Sequence, residues 1–190
     1  RRMAKVSVER YRVQMRQVNL KDIAGELEHI KKIYRTAWEK NWGAIPMTDA
    51  EMEHLADSLV KIADPRLLYL AFIDEQPVGV FLALPDLNQV AIHMGGRLFP
   101  LGWLKFLWYR RKINGLRVMI MGVLEEHRLK GIEALFYVEA TRRAKEMGIE
   151  WGEMSWILED NYKVRRGIET MGGWVYRTYR LYDIPTARDA

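Results

Sequence analysis

Residues able to do chemistry concentrate in the stretch RVMIMGVLEEHRLKGIEA, residues 117–134. An apolar run ends at Val123, polar and charged residues follow, and Gly131 opens a helical pattern. Strand, short basic loop, glycine and helix together present backbone N–H groups and a positive helix end, the arrangement a phosphate needs. The stretch reads as the site of an anionic cofactor. Other chemistries have less support. Cysteine is absent, which excludes disulfides, thiolate nucleophiles and Cys-ligated metal. His29, His54, His93 and His127 show no metal-ligand spacing, and no metal is expected.

The elements that must position this stretch follow from pattern. A chain of 190 residues with 49% hydrophobic residues can bury one sizeable core, so a single domain over 1–190 is expected. No apolar run reaches membrane-spanning length, and the basic N-terminus is not followed by an apolar signal region. These features and the missing cysteines fit a cytoplasmic protein. The net charge of +5 suits an acidic ligand. Its densest cluster is Lys105, Arg110, Arg111, Lys112 and Arg117, read as a solvated helix face; nucleic-acid binding is not expected.

Residues 1–9 are charged and expected to fray, and 11–18 alternate as a first strand. Asn19 and Asp22 start a helix whose apolar face holds Ile23, Leu27, Ile30 and Tyr34, ending near 41–43. Thr48 and Glu51 form a capping box for a second helix. Residues 67–84 read as a hairpin. Residues 85–115 form an aromatic-rich insertion in which 103–112 is an amphipathic helix. Packing onto the domain is its favoured role, ahead of a pocket wall; membrane contact is not expected of it. A helix closed by Gly148, a strand over 151–158, a helix closed by Gly172-Gly173 and a final strand over 174–182 complete the order. The fold class is α/β of the α+β type: a mixed, largely antiparallel twisted sheet flanked by helices.

That order, with Val123, Arg128, Gly131, Asn161 and Gly172 at these separations, resembles the GNAT superfamily of acyl-CoA-dependent N-acyltransferases. The family pattern at the cofactor site is a strand ending in Val, then Arg or Gln-x-x-Gly-x-Gly/Ala; here it reads Val123, then Arg128-Leu129-Lys130-Gly131-Ile132-Glu133. The resemblance implies acetyl-CoA or a related acyl-CoA as cofactor. The amides from Arg128 to Glu133 would hold its diphosphate. Met121, Gly122 and Val123 would line a gap between two splayed strands, where pantetheine pairs as an added strand. Asn161 would lie near the pantetheine, or serve as a helix cap. Two departures stand out: Glu133 replaces the usual small residue, and Ile168 replaces the Tyr that protonates the leaving thiolate.

Acyl transfer to an amine needs a polarised carbonyl, a proton acceptor and a protonated leaving thiol. The Val123 amide is the expected polariser. Glu153 is the candidate base by position, Ser155 could relay through water, and Tyr162 is the candidate substitute acid. Trp38, Asn41 and Trp42 fall where the family's substrate loop lies, and Asp86 and Asn88 could reach the same mouth. The acceptor implied is a small-molecule or peptide amine. A catalytically degenerate acyl-CoA-binding or partner lobe is the alternative. The segments NWG, LPDLN, GGRLFP and GEMSWILEDN further resemble the C-terminal half of larger bacterial proteins with two GNAT-like lobes. An N-terminal lobe or a homodimer is the partner that resemblance would imply, and a chain beginning at Arg1 is expected to be a portion of something longer.

Overall fold

The computed structural model of the protein describes residues 2–38 and 45–182. The chain divides into two units, residues 1–155 and 156–190. The first holds five strands: β1 (Gln14–Gln17), β2 (Leu68–Ile73), β3 (Gln76–Pro85), β4 (Gly115–Val123) and β5 (Trp151–Met154). They lie side by side in chain order. The first three pairings are antiparallel and β4 with β5 is parallel. This is the mixed, largely antiparallel sheet that the pattern predicts. The β2–β3 hairpin turns at Asp74-Glu75, both with positive φ (47° and 63°), the sense that matches strand twist.

Helices cover both faces of the sheet, so its central strands are apolar on both sides. One face packs Tyr69, Phe81, Leu116 and Val118 against Ile132, Phe136 and Ala140 of α6 (Ile132–Glu146). The approach is close: a Cβ on Gly79 of β3 would sit 3.2 Å from both Ile132 and Phe136. The other face packs Leu68, Leu70, Val80 and Leu124 against Ile33 of α2 (Ile23–Trp38). Next along the chain is α3 (Asp49–Val60), started by the expected Thr48–Glu51 capping box. The insertion forms α4 (Asn88–Met94) and α5 (Gly102–Tyr109), the latter continued by one tight turn over Arg110–Lys112.

Four expectations are corrected. Residues 2–11 do not fray: they form α1 (Arg2–Tyr11), which buries Ala4 and Ser7. Interleaved Arg, Lys and Glu hide that stripe in the sequence. The strands expected over 11–18 and 151–158 shrink to four residues each. The helix α4 was not expected, because its apolar positions are few. In the second unit α7 (Tyr162–Thr170) forms and is closed by Gly172 at φ 91°, but 174–182 is not a strand. Alternation specifies a face and not a partner; Trp174, Tyr176, Tyr179 and Leu181 stay exposed.

Candidate functional site

The site begins where β4 and β5 part. Their parallel register runs from Gly115↔Trp151 to Val118↔Met154 and stops, while β4 continues to Val123. On its other side β4 stays paired with β3 up to Gly79↔Val123. The Leu124 amide donates to the Val78 carbonyl (2.9 Å), so Val123 occupies a non-hydrogen-bonded position of that ladder. Its amide, and that of Met121 two residues earlier, therefore turn away from β3 toward the open edge. Gly122 pairs with Val80 instead. One residue, Met119, is extra between the pairs Leu82↔Ile120 and Ala83↔Val118. This bulge falls just past the last β4–β5 rung, where a bulged residue loses its ladder partner. The Val123 amide thus faces the open edge of β4, and no local pattern marks the bulge at Met119.

The turn after β4 carries charge and unpaired amides. The Arg128 amide donates to the Glu125 carbonyl (3.2 Å). Among the described residues, no carbonyl accepts from the amides of Leu129, Lys130 or Gly131. The amides of Ile132 and Glu133 begin α6, where no preceding helical carbonyl exists to receive them. Arg128 Nε donates to the Val123 carbonyl (3.3 Å), and Lys130 Nζ lies 2.9 Å from His127 Nδ1. Burial, and then the Lys130 charge, pull the His127 pKa below its ordinary value. Glu133 lies one turn before Tyr137, whose hydroxyl pKa is raised by burial first and by the Glu133 charge second. Gly131 has φ 81°, and a Cβ there would stand 2.7 Å from the Met3 carbonyl oxygen. Both left-handed backbone and the approach of α1 demand glycine at this position.

A polar cluster sits at the apex, on the last rungs before the strands separate. Arg117 and Glu153 are register partners, 3.1 Å apart as an ion pair. Arg117 Nη2 also donates to Ser155 Oγ (3.0 Å). Glu153 and Ser155, both predicted, are brought together. Arg117 was misread as part of a basic helix face; its one-residue alternation with buried Leu116 and Val118 was the available signal.

On the same side of the sheet as Ile120 lies an apolar cavity of about 70 Å³ between the strands, α2 and α3. Leu27, Met52, Leu59, Leu68 and Ile120 are among its walls. The helix α3 buries only Met52. It is tied to α2 by charge: Lys31 Nζ lies 3.1 Å from Glu53 and 3.2 Å from Asp49, and Arg35 reaches Asp49 at 2.6 Å. Glu28, Glu53 and Asp49 hold the Lys31 pKa above its ordinary value. Lys31, and then Arg35, hold that of Asp49 below.

Other predicted residues are placed differently. Asp86 is buried and accepts from the Asn88 amide (3.3 Å) and side chain (3.0 Å), which builds the turn into α4, while Asn88 itself is exposed. Trp38 ends α2, and Asn41 and Trp42 lie outside the described residues. In the second unit Asn161 caps α7 by accepting from the Val164 amide (3.4 Å), and Tyr162 is exposed. Ile168 packs where a Cβ on Gly173 would meet it at 2.4 Å, so the chain's Gly-Gly is explained locally.

A five-stranded, mostly antiparallel open sheet with helices on both faces and β4 parting from β5 is the fold of the GNAT N-acetyltransferases. The structure of AAC(6')-Iy in complex with the bisubstrate analogue CoA-S-monomethyl-acetylneamine matches it with a TM-score of 0.59 at 15% identity, over 91% of this chain and 98% of that one. At that identity the likeness is one of fold. No family profile matches the chain. Protein YghO of Escherichia coli K12 is 35% identical over 181 residues, 92% of this chain and 46% of its own length. The bacterial ceramide synthase of Caulobacter vibrioides NA1000 is 35% identical over 178 residues, 90% of this chain and 46% of its own. The chain thus spans about half the length of these curated relatives.

Proposed function

We propose that this chain is the acyl-CoA-binding lobe of an N-acyltransferase whose acceptor is a primary amine on a long hydrocarbon chain. The observation that carries the reading is the divergence of β4 from β5 beyond Val118, directly beside the basic glycine turn. The residues present fit coenzyme A. Outward amides at Met121 and Val123 suit an amide-bearing arm, and the amides from Leu129 to Glu133 with Arg128 and Lys130 suit a diphosphate.

Coenzyme A supplies an acyl group activated toward amines as a thioester. The chain's own residues supply placement and proton handling. An amide at the bulge or at the open edge of β4 donates to the carbonyl oxygen as it gains charge. As the amine nitrogen bonds to the carbonyl carbon, the carbon–sulfur bond would break with its electron pair leaving on sulfur as the coenzyme A thiolate, which takes its proton from water, and the nitrogen's proton would pass to Glu153 beside Ser155. Arg117 positions both side chains. The apolar cavity of about 70 Å³ behind Ile120 takes the first few methylenes of the hydrocarbon, and the rest enters as α3, which buries only Met52, moves outward. The Caulobacter relative's name agrees in chemistry, since a ceramide is the amide of a long-chain amino alcohol.

The test is direct. Acyl-CoA thioesters of increasing length are offered with a long-chain amino alcohol or with an aminoglycoside. Free thiol is followed by a chromogenic reagent and the amide by mass spectrometry. Amide from the long-chain acceptor, lost in Glu153→Gln, supports the reading; amide from the aminoglycoside alone sinks the acceptor assignment. Binding of the thioester without thiol release would favour a second reading, a degenerate partner lobe. Glu133 and Ile168 motivate that alternative.

A further inference from the structure

Residues 87–124 contain no aspartate or glutamate, yet carry Arg97, Lys105, Arg110, Arg111, Lys112 and Arg117. Within the same span, large apolar side chains face solvent: Ile92 is 78% exposed, Phe99 76%, Leu101 60% and Trp108 64%. Trp103, Leu104, Leu107 and Trp108 cover an arc of about 140° on α5 at 3.6 residues per turn, and all four are exposed. The inward side of the helix is already satisfied. Phe106 and Tyr109 are half-buried, and Tyr109 stacks on His93 of α4 at 3.9 Å. The insertion is anchored below by Val90, fully buried, and by Gln89, which accepts from the Asn114 amide (3.3 Å). Among the described residues of the first unit, no element covers its outer apolar face.

The cations rim that face. Arg97, Lys105, Arg110, Arg111 and Lys112 are exposed and have no ion-pair partner among the described residues. Lys112 Nζ lies over the rings of Trp108 and Tyr109, 5.5 and 5.4 Å from their centroids. Aromatic and aliphatic side chains on one face, bordered by Lys and Arg in a span from Leu87 to Leu124 without Asp or Glu, match the chemistry of a bilayer interface carrying anionic headgroups. No described helix is long and apolar enough to cross a membrane, so the contact is with the surface. The expectation that this insertion packs onto the domain holds only for its inner side.

We infer that the α4–α5 insertion docks the protein on an anionic phospholipid surface, with Phe99, Leu104 and Trp108 entering the headgroup layer and the Arg110–Lys112 turn bound to lipid phosphates. The inference stands apart from acyl transfer and is read without substrate.

The test uses the 190-residue chain and sedimenting vesicles of phosphatidylcholine alone or of equal parts phosphatidylcholine and phosphatidylglycerol. Binding to the anionic vesicles, weaker on the neutral ones and weakened by salt, is expected. Leu104→Glu with Trp108→Glu should abolish it. Arg110→Ala, Arg111→Ala and Lys112→Ala together should reduce partitioning at least about tenfold. All these positions are exposed, and matching thermal melts confirm folding of each variant. Failure to sediment with anionic vesicles overturns the inference, as does undiminished binding by both variants. A salt-resistant dimer on gel filtration that Leu104→Glu/Trp108→Glu dissolves would assign the face to a second copy and overturn it equally.

Discussion

Two of the helices over the sheet, one on each face, are held by different physics. On one face α6 sends Ile132, Phe136, Ala140 and Ala144 into a dry core and approaches β3 closely at Gly79. On the other face α3 buries a single residue, Met52, and is fixed chiefly by Lys31 and Arg35 of α2 reaching Asp49 and Glu53. Close packing admits no rearrangement without loss of contact. The Arg35–Asp49 pair is exposed at both ends, and Asp49 and Glu53 are exposed where they meet the buried Lys31; pairs with solvent-facing carboxylates contribute little each. The difference assigns labour. The α6 side fixes the turn from Arg128 to Glu133, which under the proposed function presents amides in one geometry. The α3 side leaves an apolar cavity and a cover able to shift.

The largest expected effect breaks the tight side. Phe136 is fully buried against Phe81, ring centroids 5.8 Å apart. Phe136→Ala should lower unfolding free energy by about 3–5 kcal/mol, measured by urea denaturation. Leu55→Ala on α3, at a position 38% exposed, should cost less than about 1 kcal/mol. Equal losses would end the distinction between the two faces. Next in size is Gly131→Ala. A left-handed residue with a Cβ costs roughly 1–2 kcal/mol in strain, and the Met3 carbonyl stands in the way at 2.7 Å. Both stability and affinity for coenzyme A, read by calorimetry, should fall, since the turn and α1 would move apart.

How far such features could be read beforehand depends on what the sequence encodes locally. The hairpin, the capping box at Thr48, the glycine stops and the strand-to-turn junction at Val123 are written in neighbouring residues, and all appear. The passage from strand through glycine turn to helix over 117–134 was legible for the same reason. Features that depend on a distant partner were not. Arg117 looked like one more surface cation until β5 placed Glu153 beside it. The bulge at Met119 arises from register against β3, which no single strand reveals. Residues 174–182 carry a strand's alternation without the ladder that would make them one. Helix α1 was hidden because two small residues, Ala4 and Ser7, make its buried stripe.

A smaller effect sharpens the comparison on the loose side. Ala56 of α3 lines the cavity. Ala56→Phe would fill it, and because α3 rides on ion pairs the helix should shift outward with little loss of stability. The expected result is a rise of about tenfold in KM for a long-chain amine, the equivalent of about 1.4 kcal/mol, with KM for a short amine unchanged. An equal rise for both would place the cavity outside the acceptor path.

The smallest effect is in pH. Asp49 has its pKa lowered in the folded chain, by Lys31 first and Arg35 after. A carboxylate with a depressed folded pKa adds stability that is complete above its unfolded value, near ~4, and is lost as pH falls through the folded value. Acidification should therefore loosen α3 where it meets α2. Glu139 on α6 is also lowered, by Arg142 first, but Arg142 and Arg143 belong to the same helix. Protonating Glu139 relaxes a surface pair while Phe136 keeps the helix in place. Hydrogen-exchange protection factors should fall along α3 as the pH drops below about 4 and persist along α6. In Lys31→Met, α3 protection should already be reduced at neutral pH and respond less to acid, because only Arg35 remains to depress Asp49. If α3 and α6 lose protection together, the sheet's two covers are one cooperative layer and the cavity has no movable wall.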